Sequence, residues 1–113
     1  MAATGVLRWT DAEIAPTRVR AAALLTRQSI EDSLAHLWRS RAPGVEICSM
    51  RAQLLCASSY LRQPGLAQDT THAWHALSYL CHYQQYEMLP AARELDPLIA
   101  VALRLAQAVG DVS

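Results

Sequence analysis

Apolar residues along this chain recur every three or four positions, and no convincing alternation bounded by turns is present, which confines the chain to helices. From Thr17 to about Arg41, Val19, Ala23, Ile30, Leu34 and Leu37 fall on one stripe with Trp38 at its flank, the pattern of a long amphipathic helix. Pro43-Gly44 ends it. Over 45–62, Ile47, Met50, Leu54 and Leu61 share a face with Arg51 at its margin, and Gln63-Pro64-Gly65 is the next break. A third long helix is expected over about 67–89, up to Pro90. Asp96 as N-cap, Pro97 at the first helical position and Gly110 as a stop predict a last helix over 97–109, with Leu98, Val101, Ala102, Leu105 and Val109 as its buried stripe. Thr10-Asp11-Ala12-Glu13 has capping-box form and predicts a short helix over about 10–15, before Pro16. Short connections between long helices favour antiparallel neighbours. The expected fold is an all-α, up-and-down bundle of four to five helices in a single domain, 1–113.

A chain of 113 residues, 52% hydrophobic and 18% charged, can fill a core without disulfide or metal staples. Its formal net charge is zero, so it lacks the broad cationic field of a duplex nucleic-acid binder or a membrane-surface protein, although a local basic patch is compatible with that total. All ten basic residues are arginine; Arg18, Arg20, Arg39 and Arg41 scatter on a helical projection and are expected at the solvated surface. Cys48, Cys56 and Cys81 form no paired framework and suit reduced thiols in a cytoplasmic protein. The start MAATGVLRWTDAE has no signal-peptide apolar core, and no segment is apolar enough to span a bilayer. No Gly-rich phosphate loop is present, and no cofactor is implied.

Between Asp69 and Glu87 the chain runs through seventeen uncharged residues that hold three of its four histidines and three of its four tyrosines. Advancing about 100° per residue, His72, His75, Tyr79, His82, Tyr83 and Tyr86 occupy one arc roughly 100° wide. Trp74, Leu77, Leu80, Cys81 and Met88 lie opposite, a face for the core. Imidazoles at His72, His75 and His82 could ligate a metal, but zinc needs further ligands of matching geometry, and Cys81 points away. His82 and Tyr86, beside Glu87, are the loose parts of a polar catalytic site. Single-stranded RNA could stack on Tyr79, Tyr83 and Tyr86, although neutral charge disfavours it. Tyrosine and tryptophan are favoured where an apolar body and a polar tip meet a protein partner, so the arc is best read as an interface, with a homodimer the commonest outcome. His36, alone on another helix, is expected at the surface. Arg27 and Glu31 have ion-pair spacing in the weaker order for the helix dipole, which points to bridging between helices, with Arg51 or tyrosine groups as partners.

The segments LLTRQSIEDSLAHLW, SMRAQLLCASSYL and AWHALSYLCHYQQYEMLP resemble the small helical HEPN (higher eukaryotic and prokaryotic nucleotide-binding) proteins of actinobacteria, over about 18–108. Gln28-Ser29-Ile30-Glu31 is similar to the apolar–Gln–Leu/Ile–Glu pattern of their early long helix. The resemblance implies a four- or five-helix bundle, frequent dimerisation and, for many members, an RNA-cleaving toxin or defence role. Catalytic members carry Arg followed, after about four to six residues, by His; no arginine stands five to seven positions before His36, His72, His75 or His82. The resemblance therefore implies a noncatalytic binding module, homodimeric or with a protein partner, in a toxin–antitoxin or defence context. The alternatives are a divergent RNase or nucleotide-processing enzyme using His82 and Tyr86, and a metal-binding regulator using His72, His75 and His82.

Overall fold

The structure is a computed structural model and describes residues 16–82 and 91–112, with side chains over 18–82 and 93–110. It forms an all-α bundle of four helices, α1 (Pro16–Arg41), α2 (Met50–Ala57), α3 (Leu66–Cys81) and α4 (Ala91–Val112), with a 3-10 turn at Val45–Ile47. No strand occurs among the described residues. The expected helix over 10–15 lies outside them.

The long stripe of α1 is the centre of the core. Val19, Ala23, Ile30, Leu34, Leu37 and Trp38 are all fully buried, because α1 packs against both α3 and α4, which also pack against each other. Each large apolar side chain so buried contributes roughly 2 kcal/mol. Trp74 and Ser78 of α3 meet Glu31 and Arg27 of α1 in reverse order, so the two helices are antiparallel. Asp69 bonds Arg104 while Leu80 and Glu94 share a groove further along, so α3 and α4 are antiparallel too. The three long helices run up, down, up. Leu66, Ala73, Leu77 and Leu80 on α3, and Leu95, Leu98, Ala102, Leu105 and Val109 on α4, complete the core.

The segment 45–62 is not one helix. Its 3-10 turn stops at Ile47, Cys48 is extended, and Ser49 starts α2 afresh by accepting a hydrogen bond on its hydroxyl from the Ala52 N–H. A helical projection carried across that break assigns Ile47 to the wrong face: it is 87% exposed, while Leu54 and Leu61 are buried. The reason α2 sits where it does is Gln53. Its Oε1 accepts from the Trp38 indole N–H at 3.0 Å, and its Nε2 donates to the carbonyls of Glu46 (3.2 Å) and Cys48 (2.8 Å). One buried amide thus satisfies a buried indole and two loop carbonyls.

The last helix also starts earlier than expected. It begins at Ala91, not at Pro97, and Pro97 lies inside it. Proline lacks the N–H that would reach the Arg93 carbonyl four residues back, but packing of Leu95, Leu98 and Ile99 into the core holds the helical path through it. At the other boundaries the proline–glycine breaks stand as expected: Gly44 (φ 106°) and Gly65 (φ 78°) adopt the left-handed conformation that other residues avoid. The third helix spans Leu66–Cys81, with the His82 N–H donating to the Tyr79 carbonyl just after it; the rest of the span expected as helix, 83–89, lies outside the described residues.

Two substitutions test this account. Gln53→Ala leaves a buried indole N–H and two carbonyls without their partner and is expected to cost about 3 kcal/mol in urea denaturation. Thr70 has the opposite sign. Its hydroxyl is fully buried and makes no hydrogen bond, so Thr70→Val is expected to raise stability by about 1 kcal/mol in the same assay.

Candidate interaction site on the third helix

The two faces of α3 separate as its sequence predicts. Leu66, Thr70, Ala73, Leu77 and Leu80 are buried, Trp74 and Cys81 half-buried, and His72, His75, Tyr79 and His82 exposed. The cause is the position of the helix in the bundle: α1 takes one side and α4 flanks it, so only the arc roughly opposite the apolar stripe is left outward. Tyr79 is 66% exposed on it.

The neighbouring helices divide that arc in two. On the α4 side a half-open groove of about 530 Å³ runs between α3 and α4. Ala76, Leu80, Leu98 and Val101 give it apolar walls, Pro97 closes one flank, and His72, Tyr79, Asp69 and Glu94 supply the polar groups. His75 opens on the other side, into a smaller cleft of about 180 Å³ against α2 with Thr71, Arg51, Leu54 and Leu55. His82 follows the end of α3 and is exposed. The structure thus brings His72 and Tyr79 together on one groove and places His75 on a different one. Tyr83 and Tyr86, with Glu87 and Met88, lie outside the described residues.

Polar contacts fix the angle at which α3 presents this face. The Trp74 indole N–H donates to Glu31 Oε2 at 3.0 Å, the Arg27 guanidinium lies 6.0 Å from the centroid of the Trp74 ring, and Arg27 Nη1 donates to the Ser78 hydroxyl at 3.4 Å. Arg27 and Glu31 pair at 3.7 Å, as their spacing suggests, and the pair bridges helices. Its partners are Trp74 and Ser78, not Arg51 or a tyrosine: the pair lies on the side of α1 that packs on α3, whereas Arg51 lines the α2–α3 cleft. On the far side of α3, Asp69 Oδ2 accepts from Arg104 Nη1 at 3.1 Å and ties the groove floor to α4.

Among the described residues, no group of three or more His, Cys, Asp and Glu side chains is gathered closely enough to hold a metal ion. Cys48, Cys56 and Cys81 are free thiols. No described helix is long and apolar enough to cross a membrane. Asp69, Glu94 and Pro97 are groove residues that the sequence pattern did not single out. Asp69 is visible in the sequence only as the charged residue that bounds the uncharged stretch, and Pro97 only as the expected start of a helix that in fact begins at Ala91 and runs through it.

The exposed groove side chains carry little of the fold, so His72→Ala and Tyr79→Ala are each expected to shift stability by less than about 0.5 kcal/mol. Glu31→Ala, which strands the Trp74 indole N–H in a half-buried position, is expected to cost about 1–2 kcal/mol. Thermal or urea melts of the three variants side by side check this contrast. Comparison of the chain with protein-family models, with curated proteins and with solved structures finds no match.

Proposed function

We propose that this chain is a noncatalytic, HEPN-like helical binding module that works through its α3–α4 groove, with a second copy of itself as the partner. One observation carries the proposal: Tyr79 stands 66% exposed at the edge of an apolar-walled groove, on a surface where the fold does not require it. A tyrosine so placed offers a large rigid ring at low entropic cost and a hydroxyl for a hydrogen bond, the profile of an interface anchor. His72 and the Asp69 and Glu94 carboxylates add polar groups near it, while Ala76, Leu80, Leu98 and Val101 offer apolar surface to a docking side chain. The alternative reading, a divergent RNase or nucleotide-processing enzyme, would use His82 with Tyr86, and Tyr86 lies outside the described residues. The resemblance to HEPN proteins supplies the context proposed here, a toxin–antitoxin or defence pair in which this chain binds without cleaving.

Light scattering coupled to size exclusion is the test. The expected mass is about twice that of the 12.5 kDa chain at tens of micromolar protein, a range typical of modest dimers. Tyr79→Ala is expected to weaken the association by roughly thirtyfold, about 2 kcal/mol, with the fold intact by circular dichroism. A species that stays monomeric at every concentration, with or without Tyr79, overturns the homodimer proposal.

A further inference from the structure

A second cleft, of about 300 Å³, opens at the other end of the bundle, where the loop between α2 and α3 meets the last turns of α4. Tyr60, Arg62 and Gln63 line it from the loop, and Arg104 and Gln107 from α4. Two guanidinium groups and two primary amides therefore open on one small concave space. A third guanidinium, that of Arg41, lies 5.8 Å from the centroid of the Tyr60 ring. Among the described residues Asp69 is the acidic group paired with this set, through Arg104 Nη1, and Arg62 has no carboxylate within ion-pair distance.

The wall of this cleft is preorganised. The Tyr60 ring stands edge-on to the buried Trp38 ring at 5.5 Å. The N–H groups of Tyr60 and Leu61 both donate to the Ala57 carbonyl, and the Leu66 N–H donates to the Gln63 carbonyl, so the loop that carries Arg62 is held by its own backbone at both ends. Arg104 is held by Asp69, and the backbone that carries Arg62 and Gln63 is held by its own hydrogen bonds; guanidinium and amide donors around such a concave site match the oxygens of a phosphate group.

We propose that the Tyr60–Arg62–Arg104–Gln107 cleft binds a small free phosphomonoester, with Arg62 and Arg104 on the phosphate oxygens and the Gln63 and Gln107 amides on the remaining acceptors. Its volume suits a single phosphate with a short organic body. A polymer would need a longer track of positive charge than Arg41, Arg62 and Arg104 provide around Tyr60, and Arg51 lies apart from them in the α2–α3 cleft. The site is separate from the α3–α4 groove and stands whether or not that groove is an interface.

The test is an NMR titration of the full chain with inorganic phosphate and with glycerol 3-phosphate, against a background of about 0.15 M sodium chloride that screens nonspecific attraction between exposed charges. Saturable shifts at Tyr60, Gln63, Arg104 and Gln107 are expected for both probes. Arg62→Gln, at an exposed loop position, is expected to weaken binding by at least about tenfold, and Arg104→Lys to weaken it while retaining the charge, since the planar fork is lost. Arg51→Gln is expected to leave binding unchanged. Shifts spread equally over Arg39, Arg51 and Arg62, shifts that never saturate, or binding confined to anionic lipid vesicles or to an RNA oligonucleotide would each overturn the proposal.

Discussion

The architecture between α1 and α3 depends on one buried amide. Gln53 receives the Trp38 indole N–H and gives its own two protons to the carbonyls of Glu46 and Cys48. Each of those groups would otherwise be an unpaired polar atom in or beside the core, at about 1–3 kcal/mol apiece. Because the amide is planar and its three bonds leave it in different directions, it fixes the 3-10 turn, the start of α2 and the last turns of α1 relative to one another. Trp38 then passes this order on. Tyr60 packs edge-on against its ring, and Arg41 stacks on Tyr60, so the loop leading into α3 takes its position from the same side chain. Apolar burial alone would allow α2 to slide along α3, whereas directional hydrogen bonds do not.

The parts of this fold legible in the sequence are those where a single helix decides the outcome. The stripe of α1 is buried at every position its periodicity names, and both proline–glycine pairs mark breaks because glycine at 44 and 65 takes a positive φ. Legibility ends where a break or its absence depends on tertiary contacts. Ile47 projects onto the face of Leu54 only if the helix is continuous, and the extended Cys48 shows that it is not. Ser49 ahead of an apolar run was the available sign of a fresh N-terminus. Pro97 errs in the other direction. Its local preference is for a first helical turn, but the burial of Leu95 on one side of it and of Leu98 and Ile99 on the other outweighs one lost hydrogen bond.

The interaction face shows the same division. Helical projection gives the direction in which a side chain leaves its own helix, and on that basis His72, His75 and Tyr79 stand together and outward, as found. It says nothing of what stands alongside. The neighbours α2 and α4 are what send His75 into one cleft and His72 with Tyr79 into another, and this weakens any mechanism that needs the three imidazoles at a single point. Trp74 shows the converse case. Its apolar ring placed it toward the core, correctly, but its indole N–H needed an acceptor, and the partner that Glu31 provides lies 43 positions away in the chain.

The two clefts have no lining residue in common but are joined by one ion pair, whose strength sets how far they can influence each other through it. Asp69 lines the α3–α4 groove, Arg104 lines the cationic cleft, and the two are joined at 3.1 Å. An anion that drew Arg104 away would release a carboxylate into the groove, and a cationic group seated in the groove would release Arg104 toward the anion; by linkage the two effects are equal. Both side chains are more than a third exposed, so the pair contributes at most about 1 kcal/mol after solvent screening. Communication through it is therefore limited to roughly a fivefold change in either affinity. Larger coupling would require α3 and α4 to shift as bodies, and the fully buried contacts of Leu77, Leu95 and Leu105 oppose that far more strongly than one surface ion pair.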